Sequence, residues 1–346
     1  MSFKDIRLIK PENLEQLLKK NKFLTYRSKQ IQNWARKIDI QSFNQMSNLP
    51  NDLIQFLTEN FKLNKSKVKT SKKSFDGTIK FAIRLYDNLI VEAVLIPSNK
   101  RVTACVSSQV GCSLDCNFCA TSKIKKMRNL ESYEIFDQIM LLNKESINHF
   151  SSHITNIVFM GMGEPLLNYK NVIESIDQIT SDFGIGISYK KITVSTSGIS
   201  KMIKKMADDD VKFNLAISLH TALEKTRNKV MPFSKSFPIK ELVDSLEYWY
   251  KKIKRKITFE YLIWKEINDD FEHINALVSI CKRIPSKVNI IEYNDTDNSM
   301  FRNADDKWIN NYVTTLKENR IPVSVRRSRG KDCLLYTSPS PRDSDS

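Results

Sequence analysis

The chain has no run of about 18 apolar residues, so its sequence predicts no membrane-spanning helix. Its N-terminal segment, MSFKDIRLIKPENLEQ, lacks the apolar stretch of a secretory signal. We therefore expect a cytoplasmic protein that binds no membrane. Cysteine is scarce, at 6 of 346 residues. In a cytoplasmic chain of this length, so few cysteines favour metal or redox chemistry over a disulfide framework.

Acidic residues are fewer than basic ones, at 39 against 55, which gives a net charge of +16. Residues 1–75 hold 16 Lys and Arg against 6 Asp and Glu, so +10 of this excess lies there. A basic surface favours a polyanionic partner such as nucleic acid. The lysines of this region include Lys62, Lys65, Lys67, Lys69, Lys72 and Lys73. They could form a solvated connector, which would be either a linker or an exposed strand. They could equally well form a stripe that contacts phosphate groups.

The hydrophobic pattern divides the chain into three parts. Residues 1–75 predict a basic, helical, RNA-binding domain, with helices in PENLEQLLKK, SKQIQNWARK and LPNDLIQFLTENF. Residues 76–97 predict a β-hairpin, made by TIKFAIRL and LIVEAVLIP. From residue 98 to 332, short strands alternate with helical stretches. This alternation favours a parallel sheet, either a doubly wound layer or a full or partial barrel.

Small and polar residues follow the predicted strands where those strands end. In parallel α/β folds ligands bind beyond the carboxyl ends of the strands. The strand ends that share this feature are Ser107-Ser108, Gly161 to Pro165, Ser195 to Gly198, Ser218-Leu219-His220 and Glu292-Tyr293-Asn294. Any one of them could be ordinary turn chemistry, but five on one predicted rim indicate a binding site.

Three cysteines, Cys112, Cys116 and Cys119, lie within GCSLDCNFCA. On spacing alone they could be small apolar residues on a buried helix, although Gly111 favours a loop. They could also ligate a structural zinc with Cys105 as the fourth thiolate. The remaining alternative is a [4Fe–4S] cluster with one iron left open to chelate S-adenosylmethionine.

Glu92 lies within the apolar strand LIVEAVLIP. A carboxylate there has to be paired, protonated or used in the chemistry. From the residues alone, the favoured interpretation is a solvent-facing side chain on a half-buried strand.

The motifs CVSSQVGCSLDCNFCATS, FMGMGEPLLN, TVSTSG and AISLH resemble one family, the RlmN-type radical-SAM RNA adenine-C2 methyltransferases. The resemblance covers nearly the whole chain. It implies an α/β fold, a partial (β/α)6 TIM-like barrel, with a small helical N-terminal domain and a linking β-hairpin. It also implies two RNA substrates, an adenosine of 23S rRNA and the adenosine 3′ to the anticodon of some tRNAs.

The resemblance assigns roles residue by residue. Cys112, Cys116 and Cys119 would bind the [4Fe–4S] cluster. The S-adenosylmethionine pocket would comprise Gly163, Glu164, Ser195, Ser218, Leu219, His220 and Asn294. Glu92 matches the proton acceptor, and Cys105 matches the resolving cysteine. The further expectations are a flavodoxin-like or similar electron donor and a monomer.

The implied reaction uses two molecules of S-adenosylmethionine. The first methylates a C-terminal cysteine, and the second yields a radical that takes hydrogen from that methyl group. The resulting methylene group adds to C2 of adenine. Cys105 then displaces the carrier sulfur as a disulfide, and Glu92 removes the C2 proton.

The C-terminal sequence departs from this family after Asp332. Cys333 comes too early, and TSPSPRDSDS resembles translated sequencing adapter, so residues 333–346 are expected to be a non-native tail. Cys333 is therefore not expected to carry the methyl group.

Three other functions stay open on the sequence. One is a sibling enzyme that methylates C8 of the same ribosomal adenine and confers antibiotic resistance. Another is a radical-SAM enzyme acting on a small molecule, which the basic N-terminal domain disfavours. The third is a zinc-stabilised RNA-binding protein without catalysis.

Overall fold

Three short helices form the N-terminal part of the chain, as the sequence predicts. In the computed structural model, which describes residues 4–182, 184–294, 300–327 and 329–330, they are α1 (Pro11–Lys20), α2 (Arg27–Arg36) and α3 (Asn51–Asn60). Pro11 occupies the first turn of α1, where its missing N–H costs no hydrogen bond. Leu14 and Leu18 are buried with apolar side chains of α2 and α3, so the three helices share a core of their own.

Four antiparallel strands follow in chain order. They are β1 (Lys67–Lys73), β2 (Ile79–Arg84), β3 (Ile90–Ser98) and β4 (Arg101–Cys105). The predicted hairpin is β2–β3, which pairs Ile79 with Leu95 and Arg84 with Ile90. The lysine-rich segment, predicted as linker or exposed strand, forms β1 at the edge of the main sheet. The domain boundary at residue 75 stays a prediction.

From β4 onward the strands of the main sheet are parallel. They are β7 (Asn156–Phe159), β8 (Ile192–Thr196), β9 (Asn214–Ser218), β10 (Ile257–Leu262), β11 (Ser286–Ile291) and β12 (Val323–Arg326). The short strands β5 (Gln109–Val110) and β6 (Arg128–Asn129) form a separate two-stranded ladder. The ten-stranded sheet therefore runs in the order β1-β2-β3-β4-β7-β8-β9-β10-β11-β12.

Helices connect the parallel strands. They are α4 (Ser132–Phe150), α5 (Tyr169–Thr180), α6 (Ser200–Asp208), α7 (Glu224–Val230), α8 (Ile239–Ile253), α9 (Phe271–Arg283) and α10 (Asp306–Glu318). Six strand–helix units thus precede β12, and β1 and β12 are opposite edges of an open sheet. This architecture confirms the predicted partial (β/α)6 barrel. In the described ranges no helix is both long and apolar enough to cross a membrane.

The prediction that Lys65 belongs to a phosphate-contacting stripe is wrong. The residue is buried, and its Nζ donates to the Ala35 carbonyl at 2.6 Å and lies 3.7 Å from Asp137 Oδ1. Burial lowers the pKa of Lys65 to about 8. Asp137 also pairs with Arg7 at 2.8 Å, so Lys65 belongs to a buried ion cluster between the N-terminal helices and α4. A phosphate group cannot reach it there.

Candidate active site

The three-cysteine loop follows β5 and is fastened to the end of α7. The backbone N–H of Asn117 donates to the Val230 carbonyl at 3.0 Å. Gly111 starts the loop at a φ of 74°, in the left-handed region that favours glycine. A Cβ at this position would lie 2.4 Å from the Lys125 carbonyl oxygen, so the turn has no room for any residue that carries a side chain. The backbone therefore fixes where the cysteines point.

The loop forms one wall of a cavity at the carboxyl ends of the parallel strands. The predicted site residues that line this cavity are Cys112, Cys116, Cys119, Gly163, Glu164, Ser195, Ser218 and His220. Because neighbouring parallel strands end at the same edge, residues far apart in sequence meet here. The structure thus brings together the cysteine loop and the ends of β7, β8 and β9.

Glu164 is a fully buried carboxylate held in one orientation. Its Oε1 accepts from Leu166 N–H at 3.0 Å, and its Oε2 accepts from Ser197 N–H at 2.8 Å. Burial raises the pKa of Glu164, while these hydrogen bonds lower it in part. Gly163 precedes it at a φ of 92°, and a Cβ there would meet the Gln109 side chain at 2.5 Å.

Ser195, Ser218 and His220 also line the cavity. The two serine Oγ atoms lie 3.4 Å apart on adjacent strands. The His220 ring contacts Phe118 edge to face, with centroids 4.9 Å apart. Burial, with Arg227 nearby, lowers the pKa of His220 to about 3, so the ring is neutral. Its Nδ1 is buried and has no hydrogen-bond partner in the described part of the chain, which leaves it available to a ligand.

Two predicted pocket residues do not line this cavity. The Leu219 side chain lies in the main apolar core, so only its backbone is at the rim. Asn294 lies beyond β11, and its Oδ1 is buried without a hydrogen-bond partner among the residues that the structure describes. Cys333 lies outside the described residues.

Glu92 and Cys105 lie on adjacent strands, away from the cavity lining. Cys105 pairs with Val94, two residues from Glu92, so both side chains project from one face of the sheet. Glu92 Oε2 lies 2.9 Å from Lys80 Nζ, whereas its Oε1 is buried and has no hydrogen-bond partner within the described ranges. The favoured solvent-facing interpretation of Glu92 is therefore wrong, because the carboxylate is half-buried and paired. Burial, and next the Glu92 charge, raises the pKa of Cys105 to about 12.

Two charged residues of the site were missed by sequence reasoning. Glu260 on β10 lines the cavity, is buried, and accepts from the Asn289 amide at 2.8 Å. Its signal was the same as that of Glu92, a carboxylate inside an apolar strand, ITFEYLIW. Arg227 on α7 is fully buried beside the cysteine loop, and no pattern in its helix indicated this.

The donor set fits a cluster better than one metal ion. Among the described residues, no three His, Cys, Asp or Glu side chains are placed to ligate a single ion. A zinc ion needs its sulfur ligands at about 2.3 Å from one centre, whereas a cuboidal cluster gives each cysteine a separate iron. Cys105, the fourth ligand of the zinc alternative, does not line the cavity. Three cysteine side chains facing an open cavity suit a cluster that leaves one iron for a substrate.

Comparison with known proteins gives consistent matches. A family model described as the radical SAM superfamily matches residues 106–278. A probable dual-specificity RNA methyltransferase RlmN of Flavobacterium psychrophilum is 56% identical over 329 residues, which cover 95% of both chains. Its counterpart in Flavobacterium johnsoniae is 54% identical over 95% of this chain and 94% of its own. The crystal structure of a radical SAM methyltransferase from Sphaerobacter thermophilus matches with a TM-score of 0.87 and 31% identity, over 95% of this chain and 96% of that one.

Proposed function

The chain belongs to the RlmN family of radical SAM RNA methyltransferases, and from this premise we propose that it methylates C2 of adenosine in two RNAs. The substrates are an adenosine of 23S rRNA and the adenosine 3′ to the anticodon of tRNAs. The observation that carries the proposal is the cavity that joins the three-cysteine loop to Glu164, Ser195 and Ser218. Family membership removes the zinc-stabilised protein without catalysis from consideration.

The cavity residues divide between the two cofactors. Cys112, Cys116 and Cys119 would hold a [4Fe–4S] cluster, and Glu164 would accept hydrogen bonds from the amino group of S-adenosylmethionine. When bound, these cofactors supply the radical chemistry that an unactivated aromatic C–H bond requires. The rest of the proposed pocket comprises Gly163, Ser195, Ser218, the Leu219 backbone, His220 and Asn294.

Glu92 is proposed as the base that removes the C2 proton. The ion pair with Lys80 engages Oε2 and leaves Oε1 as a buried acceptor that no described residue uses. Such an acceptor is free to take a proton from a bound substrate. Cys105 projects from the same face, which supports its role as the resolving cysteine. Its raised pKa keeps the thiol protonated, and therefore weakly reactive, in the resting protein.

The exposed lysines of β1 are proposed as the RNA-contacting surface. Lys67, Lys69 and Lys73 are exposed on this edge strand. Each phosphate contact that is lost lowers the salt dependence of binding by about 0.7 to 0.9 in the log–log slope. Changing all three to Gln should therefore flatten the slope of tRNA binding by about 2 to 3.

The matched control removes the same charge from exposed lysines on the helical face of the sheet: Lys201, Lys204 and Lys240. That triple variant should retain the slope of the unmodified protein. If the unmodified protein and both triple variants had the same salt dependence of tRNA binding, the β1 lysines would be a solvated connector and not an RNA-contacting surface.

Product identity tests the proposed function. The chain as printed is compared with a hybrid that joins residues 1–332 to the C-terminal residues of the Flavobacterium psychrophilum relative. After anaerobic incubation with S-adenosylmethionine and a reductant, nucleosides from 23S rRNA and tRNA are identified by mass spectrometry. We expect 2-methyladenosine from the hybrid and none from the printed chain, because Cys333 is out of register. A hybrid that also carries Cys116→Ala should yield no product.

Each alternative outcome has a definite meaning. 8-Methyladenosine from the hybrid would identify the C8-methylating sibling instead. Methylation of Cys333 together with 2-methyladenosine from the printed chain would show that this cysteine is the methyl carrier. An electron donor of the flavodoxin type, a monomeric state and a cytoplasmic location remain predictions.

A further inference from the structure

Arg227 is a buried arginine without a carboxylate partner among the described residues. Its side chain on α7 is only 1% exposed, and none of the ion pairs in the described ranges includes it. The guanidinium donates to the Ser197 carbonyl at 2.7 Å and to the Leu219 carbonyl, while its Nε has no partner. Arg7, by contrast, is buried between two aspartates. Burying an unpaired charge costs several kcal/mol, so an anion that binds near the guanidinium would be stabilised by it.

The surroundings of Arg227 show where that anion would be. Its helix holds the cysteine loop through the Asn117 hydrogen bond to Val230. Cys116 packs in one apolar cluster with Val230 and Met231, which follow Arg227 by three and four positions in the chain. Arg227 therefore lies about one helical turn from the residues that contact the cysteine loop.

The other charged or titratable neighbours among the described residues form no ion pair with Arg227. Glu224 lies on the same helix, and its Oε2 accepts from the Ile239 N–H at 2.7 Å. Burial raises the pKa of Tyr261, so its hydroxyl stays neutral. His220 is also neutral. None of these groups pairs directly with the guanidinium, so the anionic group that the cysteines would bind is the candidate for that role.

We infer that Arg227 is the counter-charge of the cluster held by Cys112, Cys116 and Cys119, and that it sets the reduction potential of that cluster. The inference rests on the proposed cofactor assignment. An oxidised [4Fe–4S] cube with three thiolates carries a net negative charge. One electron from an external low-potential donor adds a further negative charge, and no bond forms or breaks. A fixed cation nearby, shielded from water, favours the reduced state.

Arg227 also connects the ends of β8 and β9 through the Ser197 and Leu219 carbonyls. A variant could therefore perturb the cavity wall for purely structural reasons. The two effects of such a variant can be separated. Loss of the Arg227 charge changes the reduction potential of the cluster and leaves the fold in place, whereas a shift of the cavity wall does not have this signature. The inference assigns Arg227 a charge effect, so its test requires an electrochemical measurement.

The experiment uses the full chain, reconstituted anaerobically with iron and sulfide, and a redox titration with dithionite followed by electron paramagnetic resonance. Arg227→Gln should disfavour reduction at least tenfold, which shifts the one-electron midpoint about 59 mV more negative. Arg227→Lys, which keeps the charge, should stay within a few-fold of the unmodified protein. Arg7→Gln is the matched control, since it removes a buried but paired arginine and should leave the midpoint unchanged.

Thermal unfolding before and after cluster loading provides the second measurement. Loading should stabilise the unmodified protein more than Arg227→Gln, because only the former gains an ion pair. Should Arg227→Gln not fold, Arg227→Met replaces it as an uncharged side chain of similar length. An unchanged midpoint, with apo and loaded forms destabilised equally, would overturn the inference and leave Arg227 a structural residue. Failure of the unmodified protein to assemble a cluster would instead overturn the proposed cofactor assignment.

Discussion

Replacing Glu164 with Gln tests the assigned cofactor-binding carboxylate directly. The change keeps the size of the side chain but removes its charge and one of its two acceptor oxygens. The remaining amide NH2 would face either Ser197 N–H or Leu166 N–H, now 2.8 and 3.0 Å from a carboxylate oxygen. The amide NH2 and the backbone N–H are both donors, so one buried donor is left without an acceptor. This costs about 1–3 kcal/mol of stability.

The loss in cofactor affinity has a separate origin. A hydrogen bond to a charged group contributes about 1.5–3 kcal/mol. Without the carboxylate, the amino group of S-adenosylmethionine loses this interaction, so the dissociation constant should rise about 10- to 150-fold. Isothermal titration of the reconstituted protein measures the affinity, and differential scanning calorimetry measures the stability.

Glu134→Gln is the matched control. Glu134 is also a buried carboxylate, but it pairs with Arg128 and does not line the cavity. Its variant should lose stability and retain cofactor affinity. If Glu164→Gln bound S-adenosylmethionine as tightly as the unmodified protein while losing stability as Glu134→Gln does, the assignment of Glu164 would be refuted.

The pH dependence of binding follows from the same carboxylate. Because burial raises the pKa of Glu164, it takes up a proton at a higher pH than an exposed glutamate does. A protonated carboxyl group is a weaker acceptor for the hydrogen bonds that the amino group donates. Affinity for S-adenosylmethionine should therefore fall as the pH is lowered through this raised pKa, whereas Glu164→Gln should be nearly independent of pH there.

Three further predictions concern the cluster, the base and the buried ion cluster. Cys116→Ala should abolish the broad visible absorbance of the reconstituted protein and its content of about four irons; a colourless unmodified protein with one bound zinc would contradict this. In the hybrid chain, Glu92→Gln should still cleave S-adenosylmethionine but accumulate a covalent RNA–protein adduct, visible on denaturing gels; a normal yield of methylated RNA would exclude Glu92 as the base. Asp137→Asn should destabilise the fold by about 3–5 kcal/mol, because it leaves Arg7 and Lys65 incompletely paired; an unchanged unfolding temperature would disprove this.

Much of the fold was accessible from the sequence because its signals are local. The start of α1 follows from Pro11 and the helical spacing of Leu14 and Leu18. The parallel strands are short apolar runs, and their polar ends indicate the edge at which the cavity forms. Alternation of strand and helix is enough to predict a parallel sheet.

Contacts between distant segments were not accessible in the same way. Lys65 lies in a lysine-rich stretch, and only the fold places it beside Asp137, 72 positions away. Arg227 occupies a short helix of mostly polar residues, and its burial depends on strand ends that approach it from elsewhere. Glu260 carried a usable signal, since a carboxylate in an apolar strand must be paired or functional.

The most direct test of the proposed reaction counts hydrogens in the transferred methyl group. The hybrid chain is incubated with tRNA and S-adenosylmethionine whose methyl group is fully deuterated, and the methylated adenosine is analysed by mass spectrometry. In the proposed route one hydrogen leaves the methyl group before its carbon joins C2, so the product should be 2-methyladenosine that retains two deuterium atoms. Retention of all three would show direct transfer of an intact methyl group and would contradict the account.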